Sequence, residues 1–235
     1  MANARSPETI SAPENLVQWR DTIRLVPSRY PSAGILDRIS EAEDLEAIIE
    51  LEAWTNDRIS NELGTLYRLP REEWVAGKRM ASVVMAAYCH PRTGGARFTN
   101  SERGGWYAAR TVETAHAEVI YHRGRELEEI GVSDTHVQVR TYLADFSGRF
   151  HDIREARAEY RPLLDPSGYA ASQRFGQGLL EAGSHGIVYR SVRHEGGECL
   201  VCFRPKMVVN VRAGRYYEYR WQGSRSPTVR ELKRS

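Results

Sequence analysis

The stretch GIVYRSVR (186–193), followed at once by CLVCF (199–203), MVVNV (207–211) and YYEYRW (216–221), decides the fold. These runs are rich in Val, Ile, Tyr and Trp and are broken by Gly, Pro and charged residues, so they predict strands in quick succession. Upstream, residues 20–27 (RDTIRLVP) mix polar and apolar positions and stop at Pro27, which suits a short strand. Two more short strands are expected at Ala96–Thr99 and Trp106–Ala109, around a Ser-Glu-Arg-Gly-Gly turn, and another over 136–146. Helices punctuate them. Thr111 offers an N-cap for a helix over 111–129 that Gly131 ends, and a further helix over 170–182 stops at Gly183. In 41–64, Leu45, Ile48, Ile49 and Leu51 share one broad face, acidic residues crowd the first turns and Gly64 closes the segment. The apolar run 80–89 fits a helix or a buried strand equally well. Strands gathered around a few helices predict an α+β domain with a mostly antiparallel sheet.

Composition narrows the function classes. The 235 residues are 41% hydrophobic and 27% charged, the balance of a globular chain. Lys and Arg total 33 against 31 Asp and Glu, for a net charge of +2, which disfavours a protein built to coat nucleic acid directly. Of those cations 30 are Arg, a skew that follows either from genome base composition or from a need for forked, bidentate anion recognition. Three cysteines make no disulfide framework, so a reducing compartment is the default. The first residues lack an apolar signal core, and the longest uncharged apolar run, Met80–Cys89, is about half a membrane span. A soluble, cytoplasmic protein without membrane contact is expected.

Three groups of residues invite a chemical reading. Arg97, Tyr107 and Glu118 fall where two strand ends and a helix meet one pocket, with Glu118 at the edge of an apolar stripe of Val112, Ala115, Val119 and His122. A carboxylate there needs a partner, which Arg97 supplies either as a ligand-binding group or as a structural ion pair. Strand alternation over 186–193 places Ser191 and Arg193 on one face, toward a polar ligand or toward solvent. No Gly-x-Ser-x-Gly elbow surrounds Ser191, so a serine hydrolase is not expected. Cys199 and Cys202, two residues apart on a strand, point to opposite faces and read as buried thiols, not zinc ligands. The seven His are scattered, with ordinary surface or core roles.

Taken in order, RLVPSRYP (24–31), GGARF (94–98), WYAA (106–109), ETAHAEV (113–119) and GIVYRSVR (186–193) closely resemble the RES domain family, named for an arginine, a glutamate and a serine. The resemblance spans about 24–205 within a single domain of 1–235. It implies a fold similar to the diphtheria-toxin-like ADP-ribosyltransferases and an active site that consumes NAD as substrate, with no other cofactor and no metal. On its motif, Arg97, Glu118 and Ser191 match the naming residues, Tyr107 the strand-end tyrosine, and Arg29 with Tyr30 an N-terminal pair. It further implies NAD degradation by hydrolysis or phosphorolysis, or else protein ADP-ribosylation. Many family members look like toxins restrained by an Xre-type antitoxin; a non-catalytic nucleotide-binding module is the remaining alternative. Two features depart from the pattern: a helical insertion at about 41–93, and an extra residue in Arg97-Phe-Thr-Asn100. A flexible basic tail is expected at 224–235.

Overall fold

The computed structural model describes residues 10–30, 33–38, 63–224 and 226–233. Its strands are β1 (Glu14–Pro27), β2 (Trp106–Ala109), β3 (Asp134–Asp152), β4 (Gly186–Arg190), β5 (Glu198–Cys202), β6 (Val209–Gln222) and β7 (Thr228–Leu232). Three α-helices accompany them among the described residues, α1 (Ala81–Cys89), α2 (Val112–Glu129) and α3 (Ala170–Glu181), together with short 3-10 helices. The protein is thus mixed α+β, with a large and mostly antiparallel sheet. The helix expected over 41–64 lies almost wholly outside the described residues.

The strands run in the order β1-β2-β5-β4-β3-β6-β7, and β1 also bonds β3, so the first five close into a ring. The long seam of that ring is antiparallel, from Glu14 opposite His151 to Pro27 opposite Val139, with an irregularity between Trp19 and Thr22. Asp21, inside the irregularity, adopts φ +56°. β3 then pairs antiparallel with β6, and only its last two residues meet β4, in parallel.

Alternation along each strand sorts side chains into separate cores. Val188, Leu200 and Cys202 join Trp19, Tyr88, Trp106 and Phe146 on one side, where α1 packs. Ile187, Tyr189, Cys199 and Val201 join Phe98, Tyr160 and Leu163 on the other, near α3. Cys199 and Cys202 therefore face opposite cores, as the strand period requires. Under α2, Val112, Val119, Ile120 and Leu127 cover Val139, Tyr217, Tyr219 and Trp221. Thr111 caps α2 by accepting the Thr114 N–H at 3.3 Å. α1 buries residues all round, including Met85 and Tyr88, which removes the polar face a period would need.

Four expectations need correction. Ala96–Thr99 is no strand: one bridge between Ala96 and Thr99 closes a tight turn on itself. β1 and β3 extend well past 20–27 and 136–146, because their polar positions face each other across the seam or solvent. β4 ends at Arg190, so Ser191 and Arg193 lie in the turn beyond it and not on a strand face. The basic tail is not loose either: Thr228–Leu232 pairs with Tyr216–Arg220, and Arg215–Glu231 and Arg230–Glu218 contacts cross the join. The expected insertion also contributes to the core where it is described, since Leu63, Leu66, Leu69 and Met80 are buried against α1's cluster. Glu73 ties that segment down by pairing with both Arg103 and Arg204.

Candidate active site

The turn that carries Arg97 is held from two directions. Gly95, at φ +71°, lets the chain double back, and Gln173 of α3 donates to the carbonyls of Gly94 (2.9 Å) and Ala96 (3.1 Å). Tyr107 of β2 accepts the Phe98 N–H at 2.9 Å and shares a hydrogen bond with Thr99 Oγ1 at 3.1 Å. Burial pushes the Tyr107 phenol up to about 12, so it stays protonated at neutral pH. Arg97 itself is 6% exposed. Its Nη1 donates to the carbonyls of Leu163 (3.2 Å) and Asp165 (2.8 Å), and its guanidinium lies 4.8 Å from the Tyr169 ring. No ion pair joins it to Glu118. The Arg–Glu pair weighed from the spacing is therefore not formed; Arg97 grips a neighbouring loop instead.

Glu118 is joined to Ser191. The Ser191 hydroxyl donates to Glu118 Oε1 at 2.6 Å across 73 residues of sequence. Ser191 Oγ in turn accepts the backbone N–H groups of Arg193 and His194, each at 3.1 Å. Two donors occupy its lone pairs, which directs its proton at the carboxylate and leaves no lone pair for nucleophilic attack. Among the described residues no hydrogen bond reaches Glu118 Oε2. Near this carboxylate, Tyr189 and Cys199 are held above their ordinary ranges, chiefly by burial; the Glu118 charge adds to both, after the Cys199 thiol in the case of Tyr189, so neither ionises.

A run of rings and guanidinium groups borders the pair. From Arg97 it passes over Tyr169 to His122 (6.5 Å between rings), to Tyr121 (5.4 Å) and to Arg193, whose guanidinium lies 3.3 Å from the Tyr121 ring centre. Arg193 and the Tyr121 hydroxyl both donate to the Pro166 carbonyl. The run thus starts and ends on residues 163–166 (the 163–166 loop), where a 3-10 helix (Ala158–Leu164) passes into a loop. His122 is pushed down to about 4, chiefly by burial and further by Arg92, Arg193, Arg97 and Arg125. It is neutral at pH 7. Sequence reasoning gave His122 an ordinary role, although it stands one helical turn after Glu118, a spacing that puts both on one face. Tyr121 and Tyr169 were missed, and nothing in their local pattern marks them.

Arg29 and Tyr30 sit in the turn after β1. Arg29 Nη2 donates to the Tyr30 hydroxyl at 3.2 Å and stacks on its ring at 5.1 Å. Arg140 secures their backbone through the carbonyls of Ser28 and Tyr30. These contacts do not reach Glu118 or Ser191; Tyr30 is 49% exposed and free to meet a ligand. Among the described residues no group of His, Cys, Asp and Glu converges to hold a metal ion, and no helix is long and apolar enough to cross a membrane.

Together these features define a mixed α+β protein whose site is a serine-braced carboxylate beside a cation–aromatic border. A family model described as the RES domain matches residues 65–222. The chain belongs to the RES domain family. It is similar to the uncharacterized protein y4oC of Sinorhizobium fredii, 24% identical over 205 residues that cover 86% of this chain and 83% of the relative. A chain in the crystal structure of the M. tuberculosis MbcT-MbcA toxin-antitoxin complex overlays with a TM-score of 0.44 at 9% identity, covering 86% of each chain. That likeness is too slight to argue from.

Proposed function

We propose that the protein is an enzyme that cleaves the nicotinamide–ribose bond of NAD. The observation that carries this reading is the Glu118 carboxylate, fixed through Oε1 by Ser191 and without a hydrogen bond to Oε2 among the described residues. Nicotinamide leaves as a neutral group from a cationic ring, so no general acid is required. A single carboxylate then suffices where ordinary glycosidases use two. Glu118 Oε2 stabilises positive charge as it develops on the ribose and accepts a proton from the attacking water. Water adds to the anomeric carbon, the bond to nicotinamide nitrogen breaks, and the products are ADP-ribose, nicotinamide and a proton. Inorganic phosphate in place of water gives ADP-ribose 1-phosphate. Ser191 fixes the carboxylate and takes no covalent part. Tyr30 offers an exposed ring for stacking and Arg29 a cation for the diphosphate, with Arg193 and Tyr107 completing the wall. Arg97, its Nη1 donated to backbone carbonyls, positions the 163–166 loop.

On the same reading the sheet is of the ADP-ribosyltransferase kind, the chain forms one domain, and it acts in the cytoplasm as a toxin restrained by an Xre-type antitoxin. The experiment is to incubate purified protein with NAD, with and without phosphate, and chromatograph the products. Nicotinamide release is expected. Glu118→Gln should keep the melting temperature and lower release by about a hundredfold or more, the scale of a lost transition-state charge contact. Undiminished turnover in that variant removes Glu118 from the mechanism.

A further inference from the structure

The loop 163–166 has a second face. While its carbonyls are held by Arg97, Arg193 and Tyr121, Leu164, Asp165 and Pro166 wall a cleft of about 550 Å3. Four arginines share that cleft: Arg154, Arg157, Arg161 and Arg190. Two are spent. Arg154 is paired with Asp152 (2.6 Å) and Glu198 (2.8 Å), and Arg157 with Glu155 (2.7 Å). The other two have no carboxylate partner among the described residues. Arg190 donates Nε to the Arg154 carbonyl at 2.8 Å, which steadies its fork and leaves both terminal nitrogens available. Arg161 is exposed beside it. The two carboxylates in the lining do not neutralise them, since Glu155 is turned to Arg157 and Asp165 accepts from the Ser167 N–H (2.8 Å) and hydroxyl (2.6 Å).

Between the cations the lining is apolar, with Pro162, Leu164 and Pro166 as flat or aliphatic surface. The volume lies in the range of small-molecule sites and far exceeds what a bare oxyanion fills. Two arginine forks without counter-ions match a phosphate group, which is close to dianionic at neutral pH. The apolar floor matches a flat ring. We propose that this cleft binds a nucleoside 5′-monophosphate, its phosphate on Arg161 and Arg190 and its base against Pro162, Leu164 and Pro166. Neither Glu118 nor Ser191 lines this cleft, and the proposal does not rest on NAD cleavage.

Calorimetric titration of the full chain with AMP tests it, with adenosine and inorganic phosphate titrated alongside. AMP is expected to bind at least tenfold more tightly than either part alone. The double variant Arg161→Ala/Arg190→Ala should weaken AMP at least tenfold, and because both side chains are exposed its melting temperature should hold. Arg215→Ala/Arg230→Ala, which removes the same charge from the distant β6–β7 join, should leave AMP affinity unchanged, as should Glu118→Gln. Three results overturn the proposal: phosphate binding as tightly as AMP (an adventitious ion only), AMP binding undiminished in the Arg161/Arg190 variant, or its loss in Glu118→Gln.

Discussion

Arg97 sits where a lost side chain is felt twice. Its removal strands two carbonyls, of Leu163 and Asp165, and uncovers the face of Tyr169. A buried acceptor left without its donor costs about 1–3 kcal/mol. Arg97→Ala should therefore lower stability by about 2 kcal/mol or more, and Arg97→Lys should recover only part of it because an ammonium lacks the planar fork. Chemical denaturation measures both. His122 offers a second reading of the same border. Its folded pKa of about 4 lies below the ordinary imidazole value, so the unfolded chain binds the extra proton between them. The stability it contributes is complete above about pH 6.5 and is lost as pH falls toward 4. Melting temperature should decline over that window in the parent and decline less in His122→Phe; equal slopes would show that His122 does not titrate this way. At this scale the sequence was legible in part. Glu118, Ser191 and Arg97 were named through the ordered motifs, but the Glu118–Ser191 bond spans 73 residues and no spacing rule reaches so far. Arg97's true partners are backbone carbonyls, which leave no trace in residue identity.

Elements were most readable where one face is wet. α2, with a Thr cap and a half-buried stripe, lies within a residue of the expected 111–129. α1 was undecidable because burial on every side erases the pattern that separates helix from strand. The Ala96–Thr99 turn was mistaken for a strand because a tight turn and a short strand can share the same Gly-flanked apolar pair. Its position is set by α3. A Cβ on Gly176 would come within 2.1 Å of the Phe98 carbonyl, so helix and turn touch backbone to backbone. Gly176→Ala should accordingly force them apart. We expect a loss of about 1–3 kcal/mol, the usual cost of overpacking, together with reduced nicotinamide release as Arg97 shifts. A variant as stable as the parent would mean that α3 does not hold the turn.

At the scale of the molecule, the tail is the clearest departure from expectation. Residues 228–232 alternate weakly and carry charge, which reads as solvated chain until β6 supplies a partner edge. Cutting the chain after Gly223 should lower the melting temperature by about 3 °C or more, the shift that roughly 1 kcal/mol produces in a chain of this size. A solvated tail would leave it unmoved. The ring of strands was not foreseen either, since closure depends on β1 finding partners on both edges. It also sets an order of events during synthesis. β1 leaves the ribosome before its partners: its long partner begins at Asp134 and β5 ends only at Cys202. At ordinary translation rates of about 5–20 residues per second, β1 waits roughly 5–20 s for β3, and the ring cannot shut until Cys202 has been made. The turn bearing Ser191 is made in that last interval. A chain released before Ser191 is made therefore lacks the seryl brace for Glu118.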